Sequence, residues 1–180
     1  MTTHNETAPT VLFVCTGNAA RSVLASTFLA RGAPGLSVES AGTHAFNGMP
    51  PGHHVRTVLR EHGAGAVSHR SASLHDSDLA KADVVIALAT EHVRFVRTHH
   101  GAHATRTGTL RRVVRDLEPT REPLAARMER MALDQVTLED WEDVDDPAGA
   151  DLDVYRRCAR EIATLTDRLA PLLLGHATLF

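Results

Sequence analysis

The sequence predicts an α/β domain built on a parallel sheet, and three observations carry that expectation. Residues 11–14 (VLFV) and 84–88 (VVIAL) are short unbroken apolar runs, the pattern of strands covered on both faces. Segments with apolar residues at helical spacing lie between and after these runs. Strand and helix therefore alternate along the chain, as in parallel sheets whose crossovers are right-handed.

Taken in order, residues 1–9 (MTTHNETAP) are expected to be a disordered N-terminus, with one domain over 10–174. A length of 180 residues suits a single domain with a real core. The first strand ends in Cys15. Leu24, Phe28 and Leu29 put apolar side chains on one face of a helix ending near Gly32. LSVES (36–40) alternates apolar and polar residues before an AGT turn and reads as a second strand. Val55, Val58 and Leu59 mark a helix ending at Gly63, another helix is expected over 91–99, and a weaker strand near 107–110. From 111 to 143 the chain carries many charges and two prolines, so it reads as a charged surface excursion with one short helix around Pro123–Leu133. Tyr155, Cys158, Ala159, Ile162, Leu165 and Leu169 form a long helical stripe, which Pro171 is expected to end or kink, and 175–180 reads as a C-terminal tail.

Composition narrows the function classes. The 43% apolar and 23% charged content is that of an ordinary globular protein, and a net charge of -3 argues against nonspecific nucleic-acid binding. No window approaches the roughly 18 apolar residues of a membrane span, and the opening residues lack the features of a signal peptide, so no membrane partner and a cytoplasmic location are expected. Two cysteines, Cys15 and Cys158, make no disulfide framework. The histidine-rich THHGAH (98–103) reads as a surface loop rather than a metal site.

The chemistry gathers at the end of the first strand. Ligands of open α/β sheets bind beyond the C-terminal strand ends, where Cys15 stands. The next residues, Thr16, Gly17, Asn18, Ala19 and Ala20, form a short loop whose glycine and asparagine tolerate left-handed backbone. Such a loop can turn its N–H groups inward, and with a helix N-terminus behind it forms an oxyanion nest. Arg21 adds a planar fork of donors matched to two phosphate oxygens. The same donors favour thiolate, the nucleophilic form of cysteine. No Gly-Lys-Ser/Thr follows, which excludes a P-loop nucleotide site.

VCTGNAARS closely resembles the Cys-x5-Arg-Ser loop of low-molecular-weight protein tyrosine phosphatases and of the arsenate reductases built on the same fold. The resemblance implies a single three-layer α/β domain, with a central parallel four-stranded sheet in order 2-1-3-4 and helices on both faces. It implies Cys15 as nucleophile, Arg21 as the phosphate-binding arginine and Thr16–Ala20 with Ser22 as the substrate-binding loop. SAGTHAFNG (40–48) is similar to the segment after the family's second strand, with Ser40 at the position of a loop-bracing serine and Phe46 at an aromatic wall of the substrate slot. His69, in an His-Arg pair, matches the histidine that joins Asn18, Ser22 and Ser40 in holding the loop open. Asp146-Pro147 matches the family's general acid, which protonates the departing oxygen for typically 10²–10⁴-fold in rate. Asp145 is its nearest competitor.

These matches imply a cysteine-dependent phosphatase that hydrolyses phosphomonoesters, above all protein phosphotyrosine, through a phosphocysteine intermediate. A phosphorylated protein or small phosphomonoester is the implied partner, phosphate-like oxyanions are the implied inhibitors, and no metal or cofactor is implied. Two departures bear on the substrate. Ala148 and Gly149 follow the Asp-Pro where the family usually carries aromatic residues, which removes stacking worth about 1 kcal/mol. Ala20 stands where many members have a second cysteine, so no disulfide can form inside the loop. An arsenate reductase resolved by an external small thiol is the first alternative, since residues 75–110 lack the cysteines of the thioredoxin-linked members. A noncatalytic phosphate-recognition relative is the second.

Overall fold

A computed structural model describes residues 8–175 of the chain; residues 1–7 and 176–180, and with them most of the expected N-terminal segment and tail, lie outside the described residues. Four parallel strands form the sheet: β1 (Thr10–Cys15), β2 (Ser37–Gly42), β3 (Val84–Ala87) and β4 (Thr107–Thr109), in the order β2-β1-β3-β4. This is the expected order and class. The apolar runs became the two central strands because every residue of Val11–Cys15 and Val84–Ala87 is buried, as a strand covered on both faces must be.

Alternation along β1 divides the core. Val11, Phe13 and Cys15 face one layer, with helices α1 (Arg21–Gly32), α2 (His53–Glu61), α5 (Leu110–Asp116), α6 (Leu124–Arg130) and α7 (Leu152–Leu173) contributing to it. Leu12 and Val14 face the other, with Leu79 of α3 (Asp76–Lys81) and Val96 of α4 (Thr90–His99). Cys15 and Gly42 are register partners at the C-terminal ends of β1 and β2, so the sulfur is delivered to the sheet's functional edge.

Three expectations change. The segment over 111–143 is no mere surface excursion. It holds α5, α6 and a 3-10 turn at Asp140–Glu142, and Val113, Val114, Leu124, Met128 and Leu133 are buried in the core. Arg111, Arg112, Arg115 and Arg130 each pair with a carboxylate, which is why composition disguised the segment. Pro171 lies inside α7, which continues to Leu173; a proline this near a helix end disturbs few hydrogen bonds. In the histidine-rich stretch, α4 runs through His99 and is followed by a 3-10 helix over Gly101–Arg106, with His100 Nδ1 2.7 Å from Asp76. Among the described residues no helix is long and apolar enough to cross a membrane.

Candidate active site

Cys15 is 3% exposed, and its sulfur lies 3.0 Å from the Ser22 hydroxyl oxygen. Asn18 Nδ2 donates to that same oxygen at 3.0 Å, which leaves the Ser22 proton free to point at the sulfur and support a thiolate. Asn18 also donates to Ser40 Oγ at 3.0 Å and accepts from the Ala72 amide at 2.9 Å. His69 Nε2 lies 2.8 Å from the Asn18 carbonyl; a carbonyl can only accept, so Nε2 carries the proton. The structure thus brings Asn18, Ser22, Ser40 and His69 into one hydrogen-bonded frame behind Cys15.

Within the loop from Thr16 to Ala20, Asn18 takes the left-handed conformation, with φ 49°, and Gly17 does not. The glycine that geometry demands is Gly42, which sequence reasoning missed. A Cβ there would lie 2.6 Å from the Thr16 carbonyl oxygen and 2.8 Å from the Asn18 nitrogen, so only glycine lets β2 close on the loop. Among the described residues, the backbone N–H groups of Gly17, Asn18, Ala19 and Ala20 donate to no protein acceptor, and Ala20 caps α1 without a side-chain acceptor. Unpaired donors at a helix N-terminus form a ready receptor for an anion.

Arg21 is 3% exposed and its guanidinium is held in place by donation to the Val144 carbonyl at 3.1 Å. Its Nη2 donates to Asp146 Oδ2 at 2.7 Å, and the other Asp146 oxygen accepts from the Ala148 amide at 3.1 Å. Two further bonds tie this acidic loop to the end of β3: the Val144 amide donates to Leu88 at 2.9 Å, and Asp143 accepts from the Thr90 amide at 2.6 Å. Arg21 and Asp146 therefore meet at the mouth of the loop that Cys15 opens. Cys158 does not join them; it donates to the Asp145 carbonyl from a buried place, and burial pushes its thiol up to about 12.

Phe46 is 84% exposed, and its carbonyl accepts from the Ser71 hydroxyl. Trp141 lies under the guanidinium of Arg115, 4.1 Å from Cζ to the ring centroid, so its ring is committed to α5. Two residues that sequence reasoning passed over, Glu91 and His92 at the start of α4, stand at the opposite lip. His92 Nε2 is 3.0 Å from Thr16 Oγ1, and its Nδ1 accepts from the Ala89 amide at 3.1 Å. Nothing in the local pattern singles out a histidine in a helix's first turn, so only the fold reveals this contact.

Burial first, and then the Arg21 charge, push the His92 imidazole down to about 4, with Asp146 and Asp143 opposing and His44 adding to the fall. Its value in the unfolded chain is near 6.5. Between these limits the unfolded chain binds more protons, so stability is complete above about pH 6.5 and is lost as pH falls toward 4. This group should account for on the order of 3 kcal/mol of that loss. Urea unfolding of wild type and His92→Gln at a series of pH values measures it: the variant's stability should vary less steeply with pH across this window.

A family model for low molecular weight phosphotyrosine protein phosphatase matches residues 10–122, which include the whole loop from Cys15 to Ser22. A protein-arginine-phosphatase of Geobacillus stearothermophilus is 32% identical over 161 residues, covering 89% of this chain and 93% of the relative. A probable low molecular weight protein-tyrosine-phosphatase, EpsP, of Ralstonia solanacearum is 30% identical, over 73% of this chain and 92% of its own. Among solved structures, the YwlE arginine phosphatase, as a cysteine-to-serine mutant with a phosphorylated active-site serine, superposes with a TM-score of 0.72 at 25% identity, covering 89% of this chain and 93% of that one. With the strand order, the cysteine loop and these likenesses agreeing over most of its length, the chain belongs to the low molecular weight phosphotyrosine protein phosphatase family.

Proposed function

We propose that the protein is a cysteine-dependent protein phosphatase working in two displacements. The Cys15 thiolate attacks phosphorus in line, an S–P bond forms as the bond to the leaving group breaks, and Asp146 gives its proton to the departing atom. Water then attacks the phosphocysteine, its proton passes to Asp146, and the S–P bond breaks to return thiolate and phosphate. Arg21 and the inward loop amides stabilise the equatorial oxygens throughout. The observation that supports the reading is the Arg21–Asp146 bond at the end of the loop that begins at Cys15, whose N–H groups from Gly17 to Ala20 meet no acceptor among the described residues. Thr16, Ala19 and Ala20 line the loop, and Asn18, Ser22, Ser40 and His69 brace it. Arg21 exchanges the Asp146 carboxylate for phosphate oxygens when substrate binds, which frees Asp146 for proton transfer. Phosphate and sulfate should compete with substrate. A thiol nucleophile and two free cysteines suit a reducing, cytoplasmic setting.

Phosphotyrosine is the substrate implied by the family resemblance. Phosphoarginine is the second reading, favoured by Ala148 and Gly149, which provide no ring to stack on, and by the named activity of the Geobacillus relative. Release of phosphate from p-nitrophenyl phosphate and from phosphotyrosine and phosphoarginine peptides tests both. Asp146→Asn should lower kcat on the peptides by about 10²–10³-fold and remove the alkaline limb of the kcat/KM–pH profile, where loss of the acid's proton slows the wild type. No phosphate release from any of the three would overturn the proposal.

A further inference from the structure

We propose that Glu91 selects substrates whose phosphorylated side chain is itself cationic, so that the site turns over phosphoarginine in preference to phosphotyrosine. The inference rests on the phosphatase reading above and assigns a specificity role to a residue outside the cysteine loop.

Glu91 lies in the first turn of α4, and its carboxylate occupies a defined place at the mouth. Oε1 is 4.0 Å from Arg21 Nη2, 3.4 Å from Thr16 Oγ1 and 3.2 Å from His92 Nε2. His92, 1% exposed, explains why the carboxylate stays there. Its Nδ1 accepts the Ala89 amide proton, so the neutral ring carries its own proton on Nε2, facing Thr16 and Glu91. With that proton given to Thr16 Oγ1, the threonine hydroxyl is free to donate to Glu91 Oε1. A buried ring thus orients a hydroxyl, and the hydroxyl orients a carboxylate.

For an anion site this is a costly neighbour. Asp146 already reaches the same Arg21 nitrogen at 2.7 Å, so two carboxylates flank the nitrogen meant for phosphate, and both weaken its positive field. Phosphotyrosine gains nothing in return, because its ring offers no donor and presents a negative π face. A phosphoarginine keeps a positively charged guanidinium at neutral pH, directly joined to phosphorus through nitrogen. When its phosphate lies in the loop, its remaining N–H groups leave the mouth between Glu91 and Asp146, the geometry of a charge-assisted carboxylate–guanidinium contact. The carboxylate that repels phosphate then attracts the group attached to it.

Steady-state kinetics of wild type, Glu91→Gln and Glu91→Lys on one peptide carrying phosphoarginine or phosphotyrosine, with p-nitrophenyl phosphate as a third substrate, test this. Glu91 is 63% exposed, so its solvent screening sets a modest scale. Glu91→Gln should lower kcat/KM for phosphoarginine about 10-fold, mainly through KM, while raising it about 2-fold for the two aryl phosphates. Glu91→Lys should widen the split in the same sense. A fall of equal size on all three substrates would show a merely structural role and overturn the inference, as would unchanged phosphoarginine turnover. Wild type that hydrolyses only the aryl phosphates overturns it while the phosphatase reading stands; wild type that hydrolyses none overturns both.

Discussion

Cys15→Ser should abolish turnover of aryl phosphates, by on the order of 10⁴-fold or more, while leaving the fold intact. The asymmetry follows from where the sulfur sits. Cys15 closes a strand whose ladder pairs it with Gly42, and its carbonyl accepts from the Thr43 amide at 2.9 Å; serine preserves all of that backbone. A hydroxyl also fits beside the Ser22 oxygen, so unfolding stability should change by less than about 1 kcal/mol. What is lost is chemical: a serine hydroxyl at neutral pH is protonated, and no general base lies within the described hydrogen bonds of the site atom to activate it. Phosphate release, together with mass spectrometry of acid-quenched wild type for a phosphoryl group on Cys15, measures the effect. Alkylation supplies the control. Cys158 has its thiol pushed up to about 12 by burial, so iodoacetamide at neutral pH should label wild type at Cys15 and leave Cys15→Ser unlabelled. Full activity in the serine variant would remove Cys15 from the mechanism.

The parts of the molecule that were legible are those where local sequence and three-dimensional role coincide. The central strands announce themselves because burial on both faces forces unbroken apolar runs such as VVIAL. The cysteine loop is legible because one short stretch supplies the sulfur, the turn and the arginine. Helix α3 escaped notice because six residues with one buried side chain, Leu79, show no period. Helix α5 was hidden differently: Arg111, Arg112 and Arg115 make it look solvated, yet Arg111 is bound by Glu161 and Arg112 by Glu142. Contacts between distant segments leave no local mark. The bond from Arg21 to Asp146, the approach of Gly42 to the loop and the hold of His92 on Thr16 each depend on strands being laid side by side.

The second large effect should come from that misread segment. Glu142 is 0% exposed, and its carboxylate accepts from Arg112 Nη2 at 2.5 Å, Arg112 Nε at 2.9 Å, Thr109 Oγ1 at 2.7 Å and the Glu139 amide at 2.9 Å. Burial opposes its ionisation, but the bonds from Arg112, the Glu139 amide and Thr109 prevail and hold it below its ordinary value of 4.5. Glu142→Gln removes the charge while Arg112, only 7% exposed, keeps its own and retains only Asp116, 3.6 Å away, so the loss should fall at the lower end of that for breaking a buried pair, about 3 kcal/mol. The sign with pH is set by the depressed value: the carboxylate's contribution is present above about 4.5 and fades as pH falls through the folded value below it. Urea unfolding should therefore show a large gap between wild type and Glu142→Gln at pH 7 that narrows in acid. Replacing both partners, with Arg112→Met and Glu142→Leu, should recover much of the lost stability, because no charge is then left buried alone. Activity should not return with it in full. Glu142 anchors the strand of chain that presents Val144 to Arg21 and Asp146 to the mouth, so an apolar pair can restore the core without restoring the aim of the acid. A kcat that recovered in step with stability would show instead that the ion pair holds the fold and nothing more.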